Sequence, residues 1–158
     1  MSQLIDITLT VNDRSHRLSV SPRRVLADLL RDELQLTGCK IGCDQAVCGA
    51  CTVLVEGIPV SACTTFAFEL DGKALTTIEG LAAGGVLDPV QQAFLAHGAF
   101  QCGFCTPGMV LSVKALLARH PDPDEPLIRK WLNANICRCT GYQMIVEAVC
   151  AAAKAEVG

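Results

Sequence analysis

Gly42-Cys43-Asp44-Gln45-Ala46-Val47-Cys48-Gly49-Ala50-Cys51 is the stretch on which the reading of this chain turns. Its cysteines follow C-x4-C-x2-C, and Cys63 comes twelve residues later. That is the spacing of plant-type 2Fe-2S sites. The small residues Gly42, Gly49 and Ala50 suit a tight loop in which backbone N–H groups approach bound sulfur. The fourth thiolate then comes from a neighbouring strand. A structural zinc site is the alternative, but zinc sites usually pair two short C-x2-C knuckles. Cys39 leaves a rival ligand set of Cys39, Cys43, Cys48 and Cys51 open, although the set ending in Cys63 fits the plant-type pattern better.

Around this loop the chain is apolar and mildly acidic. Hydrophobic residues make up 51% of its 158 residues and charged residues 18%, enough apolar material for a packed core and no disordered composition. Thirteen Lys and Arg against 16 Asp and Glu give a net charge of -3, which argues against nucleic-acid binding. No transmembrane span is apparent. Residues Met1 to Val11 alternate polar and aliphatic side chains instead of presenting a basic region and an apolar run, so no signal peptide is expected. Ten cysteines in a chain without an export signal predict metal ligands in a reducing cytoplasm before disulfides.

The residues before the cysteine loop read as a hairpin. Ile5, Ile7, Leu9 and Val11 alternate with polar residues, Asn12-Asp13 turns the chain, and Leu18 and Val20 resume the pattern. Val25, Leu26, Leu29, Leu30 and Leu34 predict a helix over 24–34, with Gly38 as its left-handed terminator. Strands are expected at 52–56 and 58–62, broken at Gly57, and at 73–77 after Asp71-Gly72. Together these make a small mixed sheet with one helix. Glu79 to Gly85 is a candidate linker, its Gly80, Gly84 and Gly85 serving no nucleotide cradle. Beyond it Asp88-Pro89, Thr106-Pro107, Pro126 and Thr140-Gly141 each open a helix, and Tyr142, Ile145, Val146, Val149, Cys150 and Ala153 keep to one face of the last. Four helices with short connections suggest a four-helix unit.

The second cysteine set, Cys102-x2-Cys105 and Cys137-x-Cys139, lies in the first and third helix connections. In an up-down arrangement those connections share a pole, so four thiolates converge there beneath the N-termini of the second and fourth helices. Zinc is again the alternative. Cys150 reads as a small buried hydrophobe, and Cys39 as a spectator or a redox-sensitive thiol. His16, His97 and His120 are isolated from one another, the acidic run Asp122, Asp124 and Glu125 reads as a solvated connector, and no acid, base and nucleophile come together.

Three segments carry a family resemblance: 42–53, 101–109 (Gln101-Cys102-Gly103-Phe104-Cys105-Thr106-Pro107-Gly108-Met109) and 135–142 (Asn135-Ile136-Cys137-Arg138-Cys139-Thr140-Gly141-Tyr142). In this order they resemble the small iron-sulfur subunit of the molybdenum hydroxylases, the xanthine dehydrogenase and aldehyde oxidoreductase family, over nearly the whole chain. The resemblance implies an α+β chain. An N-terminal plant-type ferredoxin-like (β-grasp) domain at 1–78 would be followed by a C-terminal four-helix-bundle domain at 79–158, each holding one 2Fe-2S cluster. The implied ligands are Cys43, Cys48, Cys51 and Cys63 for one cluster, and Cys102, Cys105, Cys137 and Cys139 for the other. It implies partners as well: a large molybdopterin-binding subunit and a medium FAD-binding subunit, with Gln101 and Cys139 approaching the pterin. Electrons would run from molybdenum through the helical cluster and then the ferredoxin cluster to the flavin, with no catalytic residue on this chain. Two positions depart from the family pattern: Ala46 and Cys39 stand where it commonly has glycine and threonine. A free-standing two-cluster ferredoxin or redox sensor, and a zinc-stapled interaction module, are the competing readings.

Overall fold

The structure is a computed structural model that describes residues 3–157; Met1, Ser2 and Gly158, which the 1–78 and 79–158 bounds include, lie outside the described residues. Strands β1 (Ile5–Val11) and β2 (Arg14–Val20) pair antiparallel about Asn12 and Asp13, whose φ values of 49° and 64° make the two-residue turn that matches strand twist. After α1 (Leu26–Asp28) come β3 (Thr52–Val55), β4 (Ile58–Ser61) and β5 (Ala74–Thr76). Among the described residues these strands form one mixed sheet in the order β2-β1-β5-β3-β4, with β5 parallel to β1 and antiparallel to β3.

The helix expected over 24–34 is shorter and wider than its spacing predicts. α1 passes at once into a π-helical turn, Leu29–Glu33, closed by Leu34 N donating to Leu29 O at 3.2 Å. The wider turn sets the consecutive Leu29 and Leu30, with Leu26, into the apolar layer beside Ile7, Leu9, Val53 and Leu75. Gly38 is not the left-handed terminator; Gln35 takes that conformation, with φ 57°. Gly38 is instead required by proximity, because a Cβ there would overlap Ile78.

Four helices follow: α2 (Pro89–Ala96), α3 (Thr106–Arg119), α4 (Glu125–Leu132) and α5 (Gln143–Val157). α2 packs on α3 and α5, and α4 packs on the same two helices. Val90, Phe94, Met109, Val113, Leu116, Ile128, Leu132, Ile145 and Val149 fill the space between them. Asp88 caps α2 by accepting from Val90 N at 2.9 Å, while Gln91 reaches back to the Asp88 N–H, a reciprocal cap. Asp124, read as part of a solvated connector, caps α4 by accepting from Leu127 N at 2.9 Å.

The helix expected at Thr106-Pro107 starts there without its expected cap, and the last helix starts later than expected. Thr106 does not cap α3: Cys105 holds the cap position, and the Thr106 hydroxyl is buried without a partner among the described residues. α5 starts at Gln143 instead of directly after Cys139, because Tyr142 takes a left-handed conformation with φ 71°. Tyr142 is therefore not on the apolar stripe of α5.

The two halves share a packed junction. All four residues of β3 are buried, because Val53 and Val55 face the sheet core while Leu54 faces Leu111 and Ala115 of α3. α3 is consequently buried on two sides, which explains its nearly continuous apolar sequence. The candidate linker begins as a strap on the sheet half. Asn12 Oδ1 accepts from Thr77 N at 2.9 Å, and Glu79 Oε1 accepts from Gly38 N at 2.8 Å. Gly80 lies so close to Asn12 that a Cβ would overlap it. No helix among the described residues is long and apolar enough to cross a membrane.

Candidate functional site

Between α1 and β3 the loop carrying Cys43, Cys48 and Cys51 is wound by left-handed residues at Asp44, Ala46 and Gly49, with φ 56°, 56° and 70°. Ala46 thus adopts the left-handed backbone that its side chain disfavours. This winding turns successive amides inward. The Cys43 sulfur accepts from Cys48 N at 3.3 Å, Val47 N at 3.3 Å and Gln45 N at 3.4 Å. Those three donors, in that order of weight, hold the Cys43 thiol down to about 6. Such a nest favours an anionic sulfur before any metal is considered.

Cys51 and Cys63 form a second contact behind it, joined by their thiols and by the Cys63 N–H donating to the Cys51 sulfur. Burial pushes the Cys51 thiol up to about 11. Cys39 is buried alongside, its thiol donating to Cys51 O at 3.6 Å, and burial pushes it up to about 12. Its thiol faces the backbone of the loop.

The second set meets at one end of the helical half. Cys102 and Cys139 sulfurs are 3.7 Å apart, and Cys105 and Cys137 are in thiol–thiol contact. Two thiolates on one tetrahedral metal with bonds of about 2.3 Å lie about 3.8 Å apart, so the Cys102–Cys139 separation fits a shared metal atom. Among the described residues, no three His, Cys, Asp or Glu side chains converge as a single-ion site. Thiols grouped two and two suit a binuclear core better than one zinc, which needs four mutually adjacent sulfurs.

The surroundings of these sulfurs are graded. Burial opposes ionisation of Cys137 most strongly, yet the Thr140 hydroxyl, the amides of Cys139 and Thr140 and the Cys105 thiol together hold it below the ordinary value. Thr140 Oγ1 lies 3.1 Å from the Cys137 sulfur. Burial pushes Cys105 up to about 12. The Cys102 thiol raises Cys139 against the opposing pull of the Cys102 amide. Gln101 Nε2 donates to Cys139 O at 3.1 Å, so these two residues meet on the exposed rim, where Cys102 and Cys139 are open to solvent.

Cys43 and Cys48 of the first set and all four cysteines of the second open onto one cavity of about 330 Å³, which Cys51 and Cys63 do not line. Gly42, Cys43, Cys48 and Ala50 line one side, and Cys102, Phe104, Cys105, Ile136, Cys137 and Cys139 the other. Four residues matter here to which sequence reasoning assigned no part in the site. Tyr142 Oη accepts from Cys137 N at 2.8 Å and donates to Asn135 O at 3.1 Å. Thr140, read as a helix cap, turns its hydroxyl to sulfur. Asn135 and the Ile136 amide reach the first loop, where Asn135 Nδ2 donates to Gly49 O at 3.0 Å and Ile136 N to Cys48 O at 2.8 Å. The signals available in the sequence were adjacency to Cys137 and membership of the 135–142 segment.

Comparison with known proteins agrees with this geometry. A family model described as a 2Fe-2S iron-sulfur cluster binding domain matches residues 9–82, and one described as a 2Fe-2S binding domain matches residues 77–150. The nicotine 6-hydroxylase small subunit of Paenarthrobacter nicotinovorans is 47% identical, over 94% of this chain and 89% of its own length. The xanthine dehydrogenase iron-sulfur-binding subunit of Escherichia coli O157:H7 is 45% identical over 94% of each chain. The crystal structure of quinoline 2-oxidoreductase from Pseudomonas putida 86 superposes with a TM-score of 0.93 at 44% identity, covering 98% of this chain and 96% of that one.

Proposed function

The chain belongs to the small iron-sulfur subunits of the molybdenum hydroxylases, and from that premise we propose which of its residues carry the electron-transfer role of such a subunit. It is a subunit of an oxidoreductase with two 2Fe-2S centres and is not catalytic on its own. Cys43, Cys48, Cys51 and Cys63 hold one cluster in a ferredoxin-like, β-grasp domain at 1–78. Cys102, Cys105, Cys137 and Cys139 hold the other in a four-helix-bundle domain at 79–158. When bound, the clusters supply one-electron carriage.

The observation that carries this assignment is that cysteines of both sets meet at one cavity, with backbone amides already aimed at the Cys43 sulfur on one side and the Cys102 and Cys139 thiols paired on the other. Amides of Gln45, Val47 and Cys48 stabilise negative charge on Cys43, and Thr140 with its neighbours does the same for Cys137. Donors of this kind favour the reduced state and raise its potential. Cys39 stays outside both ligand sets, since its thiol is spent on a backbone carbonyl.

The remaining assignments follow from the family. A large molybdopterin-binding subunit meets the rim that carries Gln101 and Cys139, a medium FAD-binding subunit receives electrons from the sheet half, and the three form a cytoplasmic heterotrimer. Anaerobic purification tests the reading. Two distinguishable EPR signals after dithionite reduction, with about four iron and four acid-labile sulfide per chain, are expected, together with two larger co-purifying chains. Zinc without labile sulfide in the native complex would overturn it.

A further inference from the structure

The neck of the first cysteine loop is held by a charged side chain from outside the loop. Lys40 N donates to Ala50 O at 3.2 Å and the Cys39 thiol to Cys51 O at 3.6 Å, so residues 39–40 and 50–51 close the loop that carries Cys43 and Cys48. Arg31 supports this closure. Its Nη1 donates to Thr37 O at 3.0 Å and to Cys39 O at 2.9 Å, and Lys40 Nζ donates to the same Thr37 O at 2.7 Å. Arg31 lies inside the π-helical turn Leu29–Glu33, a widened geometry that is rare and frequent at functional sites. Carbonyls, not carboxylates, receive both cations. The acids that follow Arg31, Asp32 and Glu33, are taken by Arg24 at 3.3 and 3.1 Å, and among the described residues no carboxylate lies within ion-pair distance of Arg31 or Lys40. One acid does touch the neck: Glu79 Oε1 accepts from Gly38 N at 2.8 Å. At the Cys39 thiol the pull of Arg31 toward the thiolate outweighs the opposing push of Glu79.

We propose that Arg31 is a positioning residue for the first centre: the π-helical turn aims its uncompensated positive charge at the loop neck, where it stabilises the reduced state, and Glu79 acts against it. The proposal rests on the assignment of Cys43, Cys48, Cys51 and Cys63 above. Taking up an electron makes a bound cluster one unit more negative, so a cation held nearby favours that state and an anion disfavours it. The electron comes from the helical centre, which is oxidised as the first is reduced; no bond is made or broken and no proton moves. Arg31 touches no cysteine sulfur, unlike the amides of Gln45, Val47 and Cys48. Its charge can therefore be removed while the ligands and their donors stay in place. The side chain is half-buried, which leaves its field partly screened and the effect modest.

The test uses the purified complex, with iron and sulfide measured first and the midpoint potential of each centre then taken by redox titration followed by EPR. Arg31→Gln keeps a donor and deletes the charge. It is expected to lower the reduction equilibrium of the first centre by about two- to threefold, or roughly 20–30 mV on the one-electron scale of ~59 mV per tenfold, and to leave the helical centre unmoved. Arg31→Lys retains the charge and should keep the potential. Glu79→Gln should shift the same centre upward, and by less, because Glu79 is exposed. Opposite signs are the signature of charge, since mere loosening of the neck would move both variants the same way. Full cluster content with an unmoved potential in Arg31→Gln overturns the proposal. So does an Arg31→Lys shift as large as that of Arg31→Gln, or a downward shift in Glu79→Gln. Should Arg31→Gln lose a cluster, Glu79→Gln decides: an upward shift sustains the electrostatic role and any other result overturns it. Failure of the underlying ligand assignment has a different signature, since the wild-type complex would then lack one of its two EPR signals.

Discussion

Cys43, Cys48 and Cys51 lie on one short loop whose own amides serve the Cys43 sulfur, whereas Cys102 and Cys105 meet Cys137 and Cys139 across an intervening stretch of chain that holds α3 and α4. The first site is assembled by local winding, with left-handed residues at Asp44, Ala46 and Gly49. The second is assembled by packing: it exists only while α3, α4 and α5 share their apolar core. A local nest should tolerate loss of a distant contact, and a packed site should not. Substitutions can break or sharpen that contrast.

The largest effect is expected where a paired thiol is removed. Cys139→Ser takes one partner from the 3.7 Å Cys102–Cys139 contact and should abolish the helical centre. Iron per chain should then fall from about four to about two, with the other EPR signal retained. Cys150→Ser, on the half-buried flank of α5, is expected to leave both signals in place. Equal losses in the two variants would sink the assignment of Cys139.

Next comes the seam between the sites. Gly49→Ala puts a Cβ on a residue with φ 70° and drives it into Ala134 O and the Asn135 amide. Left-handed strain and overpacking together predict a loss of about 2–4 kcal/mol. Gly72→Ala has a similar φ, 75°, but open space around it, so overpacking drops out and the strain of about 1–2 kcal/mol is offset only by the roughly 0.5–1 kcal/mol that alanine gains in the unfolded chain. Thermal unfolding of the two variants separates close approach from backbone strain; equal shifts would mean that the seam is not tight. Smaller again is Tyr142→Phe, which leaves Cys137 N and Asn135 O without their phenolic partner and should cost about 1–3 kcal/mol. It should alter the g-values of the helical centre alone. A change confined to the other signal would refute the buttressing role of Tyr142.

The contrast also explains what could be read from the residues in advance. The hairpin at Asn12-Asp13 and the cap at Asp88 are local devices, and the chain carries them in plain order. The cysteine spacing at 43–51 is local as well. What escaped notice depends on distant partners. Gly38 looks like a helix terminator until Ile78 is seen against it, and Gly80 looks like a flexible linker until Asn12 occupies the space beside it. Tyr142 fits the apolar stripe of α5 by spacing, but its hydroxyl is drawn to Cys137 N and the residue leaves the helix. The continuous burial of β3 was hidden for the same reason, because α3 covers the face that an isolated small sheet would leave wet.

Ala46 provides the finest test of local winding. Its φ of 56° is a conformation that costs an L-residue with a Cβ about 1–2 kcal/mol, and glycine adopts it freely. Ala46→Gly relieves that strain but also frees the unfolded chain, an opposing effect of roughly 0.5–1 kcal/mol. The net expectation is a gain of about 0.5–1 kcal/mol in thermal stability, the smallest change of the series. Because Val47 N and Cys48 N already reach the Cys43 sulfur with alanine in place, the EPR signal of this site should not move. A stability gain with an altered signal would mean that Ala46 distorts the nest. A loss of stability would mean that the methyl group stiffens the loop in the unfolded chain by more than its strain costs in the folded one.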